Sequence, residues 1–249
     1  MKSAGTAWCQ QSILHPLKWC RHSFGDMPLL DMRGALILIC ECRFIGSRER
    51  SIEGMAMAEM VRAWTRQGLA VLDALQRDGI YHAREEFVSE KYDSIADHYL
   101  GLYHWLIAGC RAHGASIPED ATLPIWIALT ESQKLGETEG TVMFDLEIPR
   151  DQIAIIDGDR WGYRVNNWYV PLDLADEEAH NAELERLGIA NESLVVTGPL
   201  GNYHPALKGK IQRSWERVFT PAESMEKNLG LCWELRTSWV CGYTIGEGA

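Results

Sequence analysis

The densest set of side chains able to recognise a ligand lies between Asp157 and Tyr169, in the stretch DGDRWGYRVNNWY. Asp157 and Asp159 supply two carboxylates, an incomplete ligand set for a calcium or magnesium ion. Asn166 and Asn167 offer amide donors and acceptors, while Trp161, Trp168 and Tyr169 offer flat apolar faces with a polar tip. Rings beside amides suit a base or a nicotinamide. The same residues also have simpler uses. Aspartates turn and cap, asparagines close turns by bonding nearby backbone, and aromatic rings fill cores. Two further carboxylates stand out downstream. Glu216 follows Trp215 in a helical pattern, where a surface residue or ion-pair partner is expected. Glu234 lies in the alternating stretch WELR, and because a strand fixes the direction of its carboxylate it is the stronger catalytic candidate.

Other chemistry is poorly represented. The chain has no G-x-G-x-x-G, Walker A, G-x-S-x-G, H-E-x-x-H or C-x-x-C motif. Gly198 and Gly201 in GPLGNYH have the outline of a phosphate loop but lack its Lys-Ser/Thr. Of seven cysteines, four (Cys9, Cys20, Cys40, Cys42) fall in the first 42 residues, and Cys110, Cys232 and Cys241 are far apart. That spacing argues against a zinc site and for reduced thiols, hence a cytoplasmic location. His98 and His104 fall near one helix face, where surface histidines are expected.

These groups must be positioned by a domain of ordinary composition. The chain has 249 residues, 46% of them hydrophobic, with a formal net charge of -11. That charge argues against non-specific nucleic-acid binding and against an anionic membrane surface. Residues 1–54 differ, with seven Lys/Arg against five Asp/Glu and no consistent periodicity. They read as a poorly ordered extension or as sequence upstream of a natural start at Met55, Met57 or Met60. From residue 55 onward a single α+β domain is expected. VRAWTRQ reads as a strand, with Thr65 placed to cap the helix carrying Leu69, Leu72 and Leu75, and Asp78-Gly79 stops that helix. Ile95, Tyr99, Leu102 and Leu106 share one face of a helix over Ser89–Ala112. LPIWIALT reads as a buried strand. In TVMFDLEI, Val142, Phe144, Leu146 and Ile148 alternate with Thr141, Met143, Asp145 and Glu147, the period of a strand with one apolar face. IAII follows. Then either Asp159 caps a short helix or Asn166-Asn167 turns a hairpin. Asp173–Leu187 is an acidic amphipathic helix, whose exposed charge offers a surface to a protein partner. SLVVTG reads as a strand, Pro205–Phe219 as a helix, and LCWELRTSWVCGYTI as one or two final strands. The sum is a compact domain with a mixed or mainly antiparallel sheet and three to four flanking helices.

Four segments, WTRQ (Trp64–Gln67), LPIWIAL (Leu123–Leu129), FDLEIPRDQIAIIDGDRWGYRVNNWYV (Phe144–Val170) and IQRSWERVF (Ile211–Phe219), together resemble a bacterial and archaeal family catalogued as domain of unknown function 3841. The resemblance runs from about Met57 to the C-terminus and is most specific over Asn166–Tyr169 and Ile211–Phe219. It implies a shared fold and carries no activity with it.

The order of elements is also similar to compact ADP-ribosyltransferase-like domains, including bacterial toxins and RNA 2′-phosphotransferases. The likeness lies in a polar first strand, a helix ending in glycine, and a later strand reading E-I-P-x-D-x-hydrophobic-D. It implies a nucleotide ligand, with NAD as substrate. It also implies that Thr65 or Gln67 is the first-strand group that holds NAD. Glu234, or else Glu216, would be the late carboxylate, with Trp64 in place of the usual first-strand His or Arg. Trp161, Asn166, Asn167, Trp168 and Tyr169 would form the ligand wall. The contrasting expectation is a non-catalytic module that binds a ligand or a partner.

Overall fold

The computed structural model describes residues 59–86, 88 and 95–246. The expectations for residues 1–54 and for the start of the helix from Ser89 lie outside the described residues.

In chain order the strands are β1 (Met60–Gly68), β2 (Ile80–Tyr81), β3 (Ile125–Ile127), β4 (Thr141–Pro149), β5 (Ala154–Asp157), β6 (Asn228–Cys232), β7 (Leu235–Arg236) and β8 (Val240–Ile245). The helices are α1 (Leu69–Asp78), α2 (Ala96–Ala112), α3 (Gly158–Val165), α4 (Leu174–Arg186), α5 (Ser193–Thr197), α6 (Leu200–Tyr203) and α7 (Pro205–Ser214). The class is α+β, and every strand pairing among the described residues is antiparallel.

β4 organises the first sheet. It pairs with β1 over its whole length, from Met60 opposite Pro149 to Gly68 opposite Thr141, and with β8 on its other edge. The alternation read in the sequence is realised without exception, since Val142, Phe144, Leu146 and Ile148 are each 0% exposed. Burial at that level stabilises by about 1.5–3 kcal/mol per side chain. Their face receives α1 through Val71, Leu72 and Leu75. Gly79 ends α1 in the left-handed conformation at φ 75°, which glycine adopts without strain.

The second sheet has the order β3-β6-β5. Trp64 and Ala128 exchange two main-chain hydrogen bonds, of 3.0 and 2.7 Å, and so join it to β1. Its two faces serve different cores. Ile125, Ile127 and Cys232 face the cluster built on β4 and α1. Ile156 and Leu231, with Trp126 packed against them, face a second cluster built from α2, α3, α7 and the 3-10 turn Trp215–Phe219.

Several local expectations change. Thr65 caps no helix: β1 continues to Gly68, which stands at the N-cap of α1 without a side-chain hydrogen bond. After β5 the chain forms α3, not a hairpin, and the cap is Asp157, whose carboxylate accepts from the Arg160 N–H at 3.0 Å. SLVVTG is helical over Ser193–Thr197, with Val195 fully buried. The helix from Pro205 is regular only to Ser214 and tightens into a 3-10 turn beyond it. The tail forms β6, β7 and β8 rather than one or two strands. Among the described residues four helices reach ten residues, and the shorter ones lacked a full apolar period to reveal them.

Candidate functional site

The candidate residues divide between two places. In the first, β1 and β3 part after their single bridge at Trp64 and Ala128. The Thr65 hydroxyl takes over where the ladder stops and donates to the Trp126 carbonyl at 2.8 Å. Gln67 Nε2 in turn donates to the Thr65 oxygen at 2.7 Å. Thr65 is 4% exposed with both hydrogen-bonding roles filled. Across β3, Cys232 pairs with Ile125, and Glu234 follows two residues later with 6% exposure. Arg236 Nε donates to the Glu234 carboxylate, and half of the Arg236 side chain is in solvent. Thr65 and Gln67 thus sit on one side of β3 and Glu234 on the other, and no hydrogen bond joins them.

His82 was not singled out by sequence. It directly follows β2, whose Ile80 and Tyr81 pair with Arg236 and Leu235 of β7. His82 Nδ1 is buried without a partner. A histidine directly after a two-residue strand carries no sequence signal that would mark it.

Trp64 belongs to the other face of β1. Its ring is 6% exposed, with the Lys134 ammonium 4.7 Å and the Arg62 guanidinium 5.4 Å from its centre. Arg62 also grips Asp145 at 2.7 and 3.1 Å, which holds the Asp145 carboxyl below the usual carboxylate range. Both faces of β1 therefore carry polar groups, but Trp64 cannot share a pocket with Thr65 and Gln67, because neighbouring strand residues point oppositely.

The second place is the turn after α3. Trp161 is 3% exposed and packs against Trp126, so it forms part of the core. Asn166 Nδ2 donates to the Gly162 carbonyl at 2.8 Å, and closes the C-terminus of α3. Asn167 adopts the left-handed region at φ 56°, which asparagine tolerates better than most residues. Trp168 is 42% exposed, and its carbonyl accepts from Trp215 Nε1 at 2.8 Å. Tyr169 is buried, and its hydroxyl donates to Asp176, 2.9 Å from each carboxylate oxygen. Arg217 bonds the same carboxylate at 2.9 Å and the Val170 carbonyl at 2.6 Å. Leu172 N–H, the Tyr169 hydroxyl and Arg217 together hold the Asp176 carboxyl below its usual range. Glu216 is exposed on the turn and takes no part in this network.

Two polar groups buried here were not anticipated. His180, on the acidic helix, is 2% exposed, stacks on Tyr169 with ring centres 4.1 Å apart, and meets Glu192 at 2.7 Å. A carboxylate only accepts, so His180 Nε2 carries a proton, and Nδ1 is left buried without a partner. Arg164 is 8% exposed, and its guanidinium lies 3.9 Å from the centre of the Trp215 ring and 4.8 Å from that of Trp105. Burial lowers its pKa to about 10. Removing a charge from water costs several kcal/mol in a protein interior, and contact with two indoles set at 84° to each other offsets only part of that. The signal in the sequence was its spacing. Arg164 follows Trp161 by three residues and so shares its inward face.

Among the described residues no group of three or more His, Cys, Asp and Glu is arranged to hold a metal ion, and no helix is long and apolar enough to cross a membrane. Cys110, Cys232 and Cys241 are free thiols. Burial pushes the Cys110 pKa up to about 12 and raises that of Cys232, which makes both poor nucleophiles.

The family described as Domain of unknown function (DUF3841) matches the chain over residues 62–241. The match runs from β1 into β8 and takes in both places. No curated protein and no solved structure matches the chain.

Proposed function

The chain belongs to the DUF3841 family, and we propose that it binds a nucleotide and acts on NAD or a relative of NAD in the manner of ADP-ribosyltransferase-like domains. The observation that supports this reading is Glu234. It is a carboxylate with 6% exposure in the two-residue link between β6 and β7, not on a strand as its alternating sequence predicted, and lies across β3 from the Thr65–Gln67 pair. A carboxylate held in a water-poor site stabilises positive charge more strongly than one in solution. In the proposed reaction the bond between ribose and nicotinamide breaks, and nicotinamide leaves with the electron pair. The acceptor, water or a nucleophilic side chain, forms the new bond to ribose and gives up its proton to Glu234. Gln67 would hold the ribose or nicotinamide amide, and Thr65 would keep β1 and β3 at their separation. Arg236 must release Glu234 for this to happen, and its exposure leaves it free to move toward solvent.

The test is incubation of the purified chain with NAD, with nicotinamide release and calorimetric binding read in parallel. Wild type is expected to bind and to release nicotinamide. Glu234→Gln is expected to retain binding within a few-fold and to lose release by at least ~100-fold, the scale of removing one charge-stabilising group. Absence of both binding and release in wild type overturns the reading.

A second reading, a non-catalytic binding module, is favoured by one observation. The Thr65 hydroxyl is already engaged with Trp126 and Gln67, and Glu234 with Arg236, so both groups are satisfied as they stand. That reading predicts nucleotide binding with no turnover in wild type and no change in Glu234→Gln.

A further inference from the structure

The two sheets are joined at one point and part beyond it. Trp64 and Ala128 exchange two main-chain hydrogen bonds, and among the described residues no further main-chain bond ties β1 to the chain after Ala128. The Leu129 and Thr130 N–H groups turn instead to Gln133 Oε1, at 2.9 and 3.2 Å, and the chain leaves β1 in a 3-10 turn over Glu131–Gln133. On the far side the Arg150 N–H donates to the Glu59 carbonyl at 2.7 Å and draws the link between β4 and β5 against the start of β1. A cleft of about 180 Å³ opens between these segments. Its walls are Val61, Leu129, Ile153, Ile155 and Met225, and its charged residues are Glu59 and Arg150.

The walls are aliphatic by construction. Ile153 and Ile155 are extended residues two apart at the entry to β5, so they share a face. Leu129 lies over β6, close enough that a β-carbon at Gly230 would stand 2.7 Å from its Cδ2. Gly230 pairs with Ile155, which brings Leu129 and Ile155 together. An apolar space of roughly 150 Å³ holds a benzene-sized molecule, and sites for drug-sized ligands start at about 300 Å³. The cleft therefore has room for one branched aliphatic chain and little more. Its charges are one of each sign. Arg150 Nη1 donates at 2.9 Å to the carbonyl of Ile153, a wall residue, which holds the guanidinium against the cleft. Glu59 is exposed, and no ion pair joins it to Arg150 or to any other described residue.

We propose that this cleft binds a free aliphatic amino acid, with the branched side chain between Leu129 and the two isoleucines, the carboxylate on Arg150 and the ammonium on Glu59. Charge complementarity selects this occupant. A hydrocarbon would leave both charges without partners. A fatty acid would bring its carboxylate beside Glu59, and an alkyl amine would bring its ammonium beside Arg150. A zwitterion satisfies both through charge-assisted hydrogen bonds, the stronger kind. Thr65, Gln67 and Glu234 line no part of the cleft, so the site stands whether or not NAD is a substrate.

The experiment is calorimetric titration of the whole chain with leucine, isoleucine and valine. Three comparison ligands each lack one feature: isocaproate the ammonium, isoamylamine the carboxylate, and glycine the chain. At least one of the aliphatic amino acids is expected to bind, and each comparison ligand to bind at least ~10-fold more weakly, the scale of losing one charged hydrogen bond or one buried chain. Glu59→Gln should weaken the amino acid by at least ~10-fold and leave isocaproate no weaker. Arg150→Gln should weaken it as much and leave isoamylamine no weaker. Both side chains are exposed, and thermal melting of the free variants checks that the fold is kept. Should Arg150→Gln melt early, Glu59→Gln decides the matter alone. Failure of all three amino acids to bind wild type overturns the proposal. So does isocaproate or isoamylamine binding as tightly as the best amino acid, or an affinity unchanged in a folded variant.

Discussion

The two hydrophobic clusters share the β3-β6-β5 sheet but differ in how they treat polar groups. On the β4 face, Phe144 and its neighbours are fully buried, and Thr65, the polar residue among them, has its hydroxyl satisfied as donor and as acceptor. On the helix side, Arg164, His180 and Asp176 are woven through rings of Trp and Tyr, and three of the five buried side-chain atoms without partners among the described residues, Arg164 Nε, His180 Nδ1 and Trp233 Nε1, lie there, against Trp64 Nε1 and His82 Nδ1 beside β1 and β2. Unsatisfied buried atoms are destabilising, by about 1–3 kcal/mol each. The β4 face thus carries the most complete burial, and the helix side carries the larger share of unpartnered polar atoms. An irregularity of this kind is what a binding region tolerates and a pure scaffold does not.

The contrast is broken most directly through Phe144. Truncation to alanine removes a ring that is 0% exposed from the middle of β4, and the sheet pairs on either side prevent the space from closing. Phe144→Ala is expected to lose about 3–5 kcal/mol in urea unfolding, with a folded protein at low denaturant only if the starting stability exceeds that. A loss below ~1 kcal/mol would mean that the β4 face is not the principal core.

The helix side is tested by filling rather than emptying. A β-carbon added at Gly109 would lie 1.9 Å from the Phe219 ring, which is itself stacked on His113 with ring centres 4.8 Å apart. Phe219 must move for the methyl to fit. Gly109→Ala is therefore expected to destabilise by about 1–3 kcal/mol despite alanine's better helix propensity. Thermal melting checks this, and an increase in Tm would show that Phe219 repacks freely.

Acid separates the clusters by charge. Asp176 is held below the usual carboxylate range in the folded chain by Leu172 N–H, Tyr169 and Arg217. Its contribution is present in full above the unfolded carboxylate value near ~3.9 and is lost as pH falls through that value toward the lower folded one. Tm measured from pH 6 downward should decline in that window for wild type, and the decline should be shallower in Asp176→Asn. Identical pH profiles would show that Asp176 is protonated at the same pH folded and unfolded.

Much of the sheet was legible because alternation is a direct consequence of strand geometry. Val142 to Ile148 could be assigned residue by residue, and the glycine stop at Gly79 followed from backbone freedom. The errors arose where tertiary contacts outweigh local preference. SLVVTG has the β-branched residues of a strand, yet it forms a helical turn that buries Val195. Thr65 has the residue type of a helix cap, yet its neighbours on β4 extend the strand past it. The candidate wall was found as a segment, but its logic was hidden. Asn166 closes a helix, Asn167 steadies an arginine, and Tyr169 anchors an aspartate. Each partner is fixed by three-dimensional proximity, so residue type pointed to the place without revealing the arrangement. His180 was obscured further, because eleven of the thirteen residues of its helix are polar or small, and the stack on Tyr169 and the contact with Glu192 are what draw it inward.

The finest test concerns Lys210, which touches the helix cluster from its edge. Its ammonium lies 2.9 Å from Glu183 and 4.8 Å from the centre of the Tyr169 ring, with about a third of both charged side chains in solvent. Lys210→Met keeps the aliphatic stem against the ring and removes the charge. Exposed pairs of this kind contribute about 0.2–1 kcal/mol and are screened by salt. The loss in urea unfolding should therefore stay under ~1 kcal/mol and shrink further at high ionic strength. A salt-insensitive loss approaching that of Phe144→Ala would mean that the helix side is held by its charges as firmly as the sheet face is held by packing. The division between a scaffold face and a more irregular face would then be untenable.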